Sequence, residues 1–475
     1  MAEIKFGTDG WRAIIAEDYT FENVRICAQS VAKYVTDEAD AEKGLVVGYD
    51  TRFGSEDFAA ATAEVIAGNG IRVYLCDRAA PTPTVSYSIR ERKAGGAVVI
   101  TSSHNPPNWN GFKVKPEYAG SASPEVLAEL EQTIAAVQAG QIAVKRLPLA
   151  QAVADGQVVR FNPMPAYLKQ LASLVDLEAI KQAGLTVAVD AMFGAGMGYF
   201  PVLLAGGNTK LVEINNVRNP LFPGMHNPEP IERNLAALRA AIEQHHADVG
   251  LANDGDADRV GMMDEHGNFV NQLQVYALLL MYLLEVRGQR GPVVKTITTT
   301  AMARKLAAEY DIPVHETPVG FKYVGPKMME TGAMMGGEES GGFGFAGHIP
   351  ERDGILAGLF LLDLMIKMAK SPSQLIEYLF SQVGAHYYDR IDLAIPADQR
   401  EATLARVQES RPERIAGLKV TGIDALDGFR YLLEDGGWLL VRFSGTEPLV
   451  RVYTETTDAE KVEAILADGR QIVGL

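Results

Sequence analysis

Ser103 lies in the segment Thr101-Ser102-Ser103-His104-Asn105-Pro106, directly after the apolar run Ala97-Val98-Val99-Ile100. A hydroxyl just past the end of a buried strand stands where open α/β sheets present groups to ligands. No G-x-S-x-G elbow surrounds it, and a His next to a Ser in sequence generally points elsewhere, which disfavours a hydrolase triad. The hydroxyl is suited to carrying a phosphoryl group, although the same residues are ordinary turn formers. A second segment, Asn253-Asp254-Gly255-Asp256-Ala257-Asp258-Arg259, follows the strand-like Val249-Gly250-Leu251. Asp254, Asp256 and Asp258 alternate, so in an extended loop they point to one side and offer hard oxygens that select Mg²⁺ or Mn²⁺ over zinc. With Glu265 they also occupy calcium-loop positions, but Arg259 stands where that loop needs glycine for its turn.

Two further loops supply different chemistry. Gly336-Gly337-Glu338-Glu339-Ser340-Gly341-Gly342 joins two carboxylates and a hydroxyl to a flexible backbone, a combination matched to neutral sugar hydroxyls. Gly342 to Gly347 formally matches a dinucleotide fingerprint, but no apolar strand leads into it and Glu338 and Glu339 would repel a pyrophosphate. Arg442-Phe443-Ser444-Gly445-Thr446-Glu447-Pro448, with Arg451 beyond it, pairs a guanidinium fork with hydroxyls and exposed N–H groups, the parts of a phosphate cradle.

The elements that must position these loops read as α/β. β-branched runs end in polar, Gly-rich loops and alternate with segments of helical spacing. Gly44–Gly54 (GLVVGYDTRFG) and Gly184–Gly194 (GLTVAVDAMFG) share 6 of 11 residues, and a diverged third copy begins at Gly291-Pro292-Val293-Val294. The spacing predicts three related α/β units. From Ser371 the texture changes to a smaller α+β unit, so the expected domains are residues 1–160, 161–258, 259–370 and 371–475.

Composition narrows the class. At 475 residues, with 47% hydrophobic and 22% charged side chains, the chain is globular and long enough for several cores. A net charge of −16 disfavours binding to nucleic acid or anionic lipid. The apolar run Val275–Leu284 is about half the ~20 residues a membrane span requires. Cys27 and Cys76, far apart and without nearby His, indicate neither a disulfide framework nor a zinc cluster. A cytoplasmic enzyme is the expected class.

Taken in order, with Gly7-Thr8-Asp9-Gly10-Trp11-Arg12 ahead of them, the four loops resemble the α-D-phosphohexomutase family of phosphoglucomutases, phosphomannomutases and phosphoglucosamine mutases across essentially the whole chain. The resemblance implies three similar mixed-sheet, three-layer α/β domains and a C-terminal α+β domain around one cleft. It implies interconversion of hexose 1-phosphate and 6-phosphate through a phosphoserine at Ser103 and a hexose 1,6-bisphosphate. Mg²⁺ would be held by Ser103, Asp254, Asp256 and Asp258, with His104 beside the nucleophile. Lys113 would assist proton transfer while Arg12 and Arg259 stabilise the moving group. Glu338 and Ser340 would bind the sugar, and Arg442, Ser444, Gly445, Thr446 and Arg451 the distal phosphate. Lys322 and the Arg352-Asp353-Gly354 run would also line the cleft. Glu338-Glu339-Ser340 resembles the glucomutase form, whereas Gly341-Gly342 departs from its Phe-Gly. Glucose phosphates are therefore the expected substrates, with a dual glucose/mannose enzyme and a glucosamine-phosphate mutase as alternatives. A metal-dependent phosphatase or sugar-phosphate-binding protein is the alternative of another class.

Overall fold

The structure, a computed structural model, describes residues 4–38, 40–444 and 449–475. Four sheets follow one another along the chain. The first contains β1 (Trp11–Ile14), β2 (Leu45–Tyr49), β3 (Val73–Cys76), β4 (Gly96–Ile100), β5 (Trp109–Pro116) and β6 (Val158–Phe161), in the order β1-β5-β4-β2-β3-β6. Its central strands are buried on both faces, so they are continuous apolar runs rather than alternating ones. Leu45, Val47, Val98 and Ile100 enter one core, while Val46, Ala97 and Val99 enter another on the opposite face. That alternation makes the unit three-layered.

The second sheet is formed by β7 (Thr186–Asp190), β8 (Lys210–Ile214), β9 (Val249–Asn253), β10 (Val260–Met263) and β11 (Phe269–Val270), in the order β11-β10-β9-β7-β8. The third is formed by β12 (Val293–Thr296), β13 (Val314–Thr317), β14 (Met335–Gly337) and β15 (Phe343–Phe345), in the order β13-β12-β14-β15. All three share one pattern. β2, β7 and β12 pair in parallel with β4, β9 and β14 on one side and with β3, β8 and β13 on the other. β5, β10 and β15 then return antiparallel beside β4, β9 and β14. The shared GL-x-V…D-x-x-FG segments form the same turn twice: Asp50 Oδ1 accepts the Arg52 N–H at 2.9 Å, and Asp190 Oδ1 the Met192 N–H at 2.8 Å.

This topology gives three equivalent connections, β4 to β5, β9 to β10 and β14 to β15. They carry Ser103, the alternating aspartates and Glu338-Glu339-Ser340 respectively. Because the aspartate loop turns the chain back into β10 and β11, the second sheet continues past Asp258, where the expected boundary falls. Val275–Leu284 becomes the interior of a helix and the turn that follows it, and it joins a core shared by the second and third units. The helix Pro372–Val383, opened by a Ser371/Gln374 capping box, adds Leu375, Leu379 and Val383 to that same core rather than to the C-terminal unit.

The last sheet is wholly antiparallel, in the order β16-β21-β20-β19-β18-β17. Its strands are β16 (Tyr387–Ala394), β17 (Arg414–Ile415), β18 (Leu418–Asp424), β19 (Phe429–Leu433), β20 (Trp438–Phe443) and β21 (Leu449–Thr456). Trp438, Leu440 and Tyr453 seat it on Leu273 and Ile297 of the third unit. Among the described residues, no helix is long and apolar enough to cross a membrane.

Candidate active site

Ser103 is 1% exposed and adopts φ +50°, in the left-handed region that non-glycine residues enter at a cost of about 1–3 kcal/mol. Its N–H donates to Thr101 Oγ1 at 2.8 Å, and its hydroxyl donates to Asp254 Oδ2 at 2.6 Å. The neighbouring Ser102 hydroxyl turns instead to Asn105 Oδ1, which also accepts from Arg12 at 2.7 Å. His104 Nδ1 lies 3.3 Å from the Ser103 oxygen. Burial, reinforced by Arg259, Arg12, Arg52 and Lys113, lowers the His104 pKa well below the usual imidazole range, so the ring is neutral.

The loop is held from beneath by Arg52, a fully buried cation. Its guanidinium donates to the carbonyls of Ser103 and Asn105 at 2.6 Å, Pro106 at 2.8 Å and Trp109 at 3.1 Å. Its own counter-ion is Asp50, at 3.3 Å.

On the facing loop, Asp254, Asp256 and Asp258 are buried and offer ligand oxygens within 4.8 Å of one another. Gly255 lets this loop meet the serine loop: a Cβ there would stand 2.4 Å from the Ser103 carbonyl oxygen. Thr82 anchors Asp256, donating its hydroxyl to Oδ2 at 2.5 Å and its N–H to the carbonyl at 2.9 Å. Lys113 Nζ lies 2.6 Å from Asp9, 2.7 Å from Asp256 and 3.0 Å from Asp258. Burial alone would lower the Lys113 pKa, but these carboxylates raise it above the usual lysine range. Burial likewise opposes ionisation of Asp256, yet Lys113 and Thr82 hold its pKa below the usual carboxylate range. Asp254 goes the other way: burial and the charges of Asp258 and Asp256 raise its pKa well above normal.

These residues fit a divalent cation. Asp256 Oδ1 and Asp258 Oδ1 are buried and have no hydrogen-bond partner, and all the donors are hard oxygens. The calcium-loop alternative fails, because Glu265 is turned toward Ser371 and Ser373, accepting the Ser373 hydroxyl at 2.5 Å. Arg259 bonds Glu229 at 3.2 Å and lies 3.9 Å from both Asp254 and Asp258.

Glu338 Oε1 accepts the Gly320 N–H at 3.0 Å, and Oε2 lies 3.4 Å from Arg352. Burial raises its pKa despite that guanidinium. Ser340 follows on the partly exposed end of the loop. Lys322 donates to the Gly7 carbonyl at 3.2 Å, which brings the first and third units together. Arg442 donates to Asp427 Oδ2 at 2.8 Å, and the same oxygen accepts the Val319 N–H at 2.8 Å. Ser444 closes its end of the loop with N–H to the Leu449 carbonyl at 2.9 Å, and Arg451 lies 3.7 Å from Asp392. Gly445 and Thr446 lie outside the described residues.

Arg352, expected along the cleft, and Lys115, which carries no local motif, complete this basin. Arg352 contacts Asp9, lies 2.7 Å from Asp258 and also reaches Glu338, tying together loops from three units. Lys115 meets Asp9 at 3.1 Å and Glu351 at 2.5 Å. Arg52, Thr82, Lys115 and Glu229 were not anticipated as parts of the site. The available signal is for Arg52, a cation two residues past Asp50 at the polar end of the repeated segment.

Four family models match in chain order: phosphoglucomutase/phosphomannomutase α/β/α domains I (residues 3–141), II (165–267) and III (271–383), and the C-terminal domain (401–471). A phosphoglucomutase/phosphomannomutase from Thermococcus kodakarensis is 31% identical over 98% of both chains. A phosphoglucomutase from Komagataeibacter xylinus is 27% identical, covering 99% of this chain and 90% of that one. The crystal structure of a "putative phosphomannomutase" from Thermus thermophilus superposes with a TM-score of 0.86 at 33% identity, over 99% of each chain. With its serine loop, its carboxylate loop and the Glu338-Glu339-Ser340 loop on equivalent connections of three repeated units, this chain belongs to the α-D-phosphohexomutase family.

Proposed function

We propose that the protein interconverts glucose 1-phosphate and glucose 6-phosphate through a phosphoserine at Ser103 and glucose 1,6-bisphosphate. The observation that carries this reading is the Ser103 hydroxyl, held 2.6 Å from Asp254 at the edge of a buried carboxylate triad. The free sugar hydroxyl attacks the phosphorus on Ser103, the Ser103 Oγ–P bond breaks, the proton lost by the hydroxyl is matched by one gained at Ser103 Oγ, and the bisphosphate turns in the cleft. Its other phosphoryl group then returns to Ser103. A divalent cation on Asp254, Asp256 and Asp258, Mg²⁺ by the hardness of the donors, would neutralise charge on the phosphoryl group in flight.

The chain's own residues supply the remainder. Lys113, held protonated by three carboxylates, is suited to donate a hydrogen bond or a proton rather than to act as a base. Arg12 and Arg259 flank the serine and carboxylate loops, where positive charge favours the transition state. Glu338 and Ser340 would accept and donate to sugar hydroxyls, and Arg442, Ser444, Gly445, Thr446 and Arg451 would hold the distal phosphate.

A second reading, a dual glucose/mannose mutase, draws support from the T. kodakarensis relative, whose name covers both sugars. Glu339 adds to it: the residue that distinguishes the glucomutase-like loop turns to Tyr388 rather than to Glu338's side of the cleft. Phosphorus NMR with Mg²⁺, a trace of glucose 1,6-bisphosphate and the 1-phosphates of glucose, mannose and glucosamine in separate tubes tests all of these. Conversion to a 6-phosphate without inorganic phosphate is expected, and fastest for glucose. Growing inorganic phosphate would replace the mutase with a phosphatase.

A further inference from the structure

Glu338 and Glu339 are adjacent but face opposite ways. Glu338 turns inward to Gly320 and Arg352. Glu339 turns to the fourth domain, where its Oε1 accepts from Tyr388 Oη at 2.5 Å and from Arg390 at 3.0 Å, both on β16. Arg390 lies 3.4 Å from Asp392, and Asp392 lies 3.7 Å from Arg451, its in-register partner on β21. Four side chains of alternating sign thus run from the sugar loop to the strand that leaves the phosphate loop. The Glu339 side chain is only 12% exposed and that of Arg390 26%, so this contact is screened less than a surface pair.

We propose that Glu339 is a positioning residue that registers the phosphate-binding domain on the sugar loop and so retains the bisphosphate between half-reactions. The proposal rests on the mutase reading above. The role assigned to Glu339 involves no contact with substrate, because its carboxylate is engaged by Tyr388 and Arg390. It acts through its chain neighbours Glu338 and Ser340, whose separation from Arg442 and Arg451 sets the span a bisphosphate must bridge. A misplacement of about 1 Å across such a span can cost up to a hundredfold in rate.

The test uses the full chain carrying Glu339→Ala, Glu339→Gln, Arg390→Met or the Glu339→Ala/Arg390→Met pair. Spin labels at Glu309→Cys and Lys419→Cys, on exposed positions of the third and fourth domains, report domain registration independently of activity. Cys27 and Cys76 are buried and escape labelling. Glu339→Ala and Arg390→Met are expected to raise both KM for glucose 1-phosphate and the glucose 1,6-bisphosphate released per turnover by about tenfold, with a smaller change in kcat. The inter-label distances are expected to broaden, the double variant to match either single one, and Glu339→Gln, which keeps the Tyr388 hydrogen bond, to fall between. Wild-type KM, release and distances in Glu339→Ala would overturn the proposal. So would a lowered melting temperature with unchanged release, which is the signature of a merely structural contact. Absence of both phosphoserine and 6-phosphate in the wild type would refute the mutase reading itself, while the label distances would still decide whether Glu339 fixes the domain.

Discussion

The hydroxyl of Ser103 and the Oδ2 of Asp254 meet at 2.6 Å although 151 positions separate them in the chain. Ser102, one residue earlier, spends its hydroxyl on Asn105 instead. Ser103→Ala is therefore expected to abolish phosphoserine and turnover together. Ser102→Ala loses one hydrogen bond, worth about 1 kcal/mol, and keeps the phosphorylated peptide. Mass spectrometry after incubation with glucose 1,6-bisphosphate separates the two, and a label retained in Ser103→Ala would move the nucleophile to Ser102.

Gly255 is the place where the serine and carboxylate loops touch. An added methyl would stand 2.4 Å from the Ser103 carbonyl oxygen, which is backbone and cannot swing aside. Gly255→Ala should therefore push the loops apart, lowering kcat on the order of tenfold to a hundredfold and stability by about 1–3 kcal/mol. Unchanged steady-state kinetics would show that the contact relaxes freely.

Arg52 carries the serine loop on four backbone carbonyls while neutralising buried Asp50. Burial lowers its pKa to about 10, so it stays charged at neutral pH. Arg52→Met strands both the carbonyls and Asp50, at an expected cost of about 3–5 kcal/mol in urea unfolding. Arg52→Lys should recover little, because an ammonium cannot reproduce the planar fork. Full rescue by lysine would reduce the role of Arg52 to charge alone.

Asp190 predicts a pH dependence. Burial raises its pKa to about 6, with only Asn215 and the Met192 N–H opposing the shift. A raised folded pKa means that the native state holds the proton more tightly than the unfolded chain. The associated stability is complete below about pH 4 and is lost as pH rises through about 6. Asp190→Asn cannot titrate, so its unfolding free energy should lack this decline, which for the wild type amounts to on the order of 3 kcal/mol between pH 4 and 7. Parallel pH profiles for the two proteins would contradict the assignment.

The parts of this molecule that were legible in sequence are those encoded within a few residues. The alternation of Asp254, Asp256 and Asp258, the apolar strands, and the GL-x-V…D-x-x-FG repeat all depend on local spacing, and each corresponds to an observed element. What stayed hidden depends on distant partners. Arg352 is legible as a cleft residue but its partner Asp9, 343 positions away, is not, and Lys115 reaches Glu351 across 236 positions. Nothing in the Glu338-Glu339-Ser340 string reveals that its middle residue faces another domain, because that direction is set by Tyr388 and Arg390. The continuation of the second sheet beyond Asp258 was missed for a related reason: a tight aspartate loop resembles a terminus until its return strand is paired.

Ser103, the carboxylate triad and Glu338-Glu339-Ser340 occupy the same connection of three copies of one unit. Each copy closes its own sheet, yet the third connection is fastened to the second: the Val260 N–H donates to the Gly341 carbonyl at 3.0 Å, and Arg352 reaches both Glu338 and Asp258. On the mutase reading, a change in the third connection is therefore expected to be felt at the carboxylate loop as well. Transplanting the segment between β14 and β15 from a relative of different preference is then a route to retargeting this scaffold only if the Gly341 bond to Val260 and the Glu339 contacts to Tyr388 and Arg390 are kept.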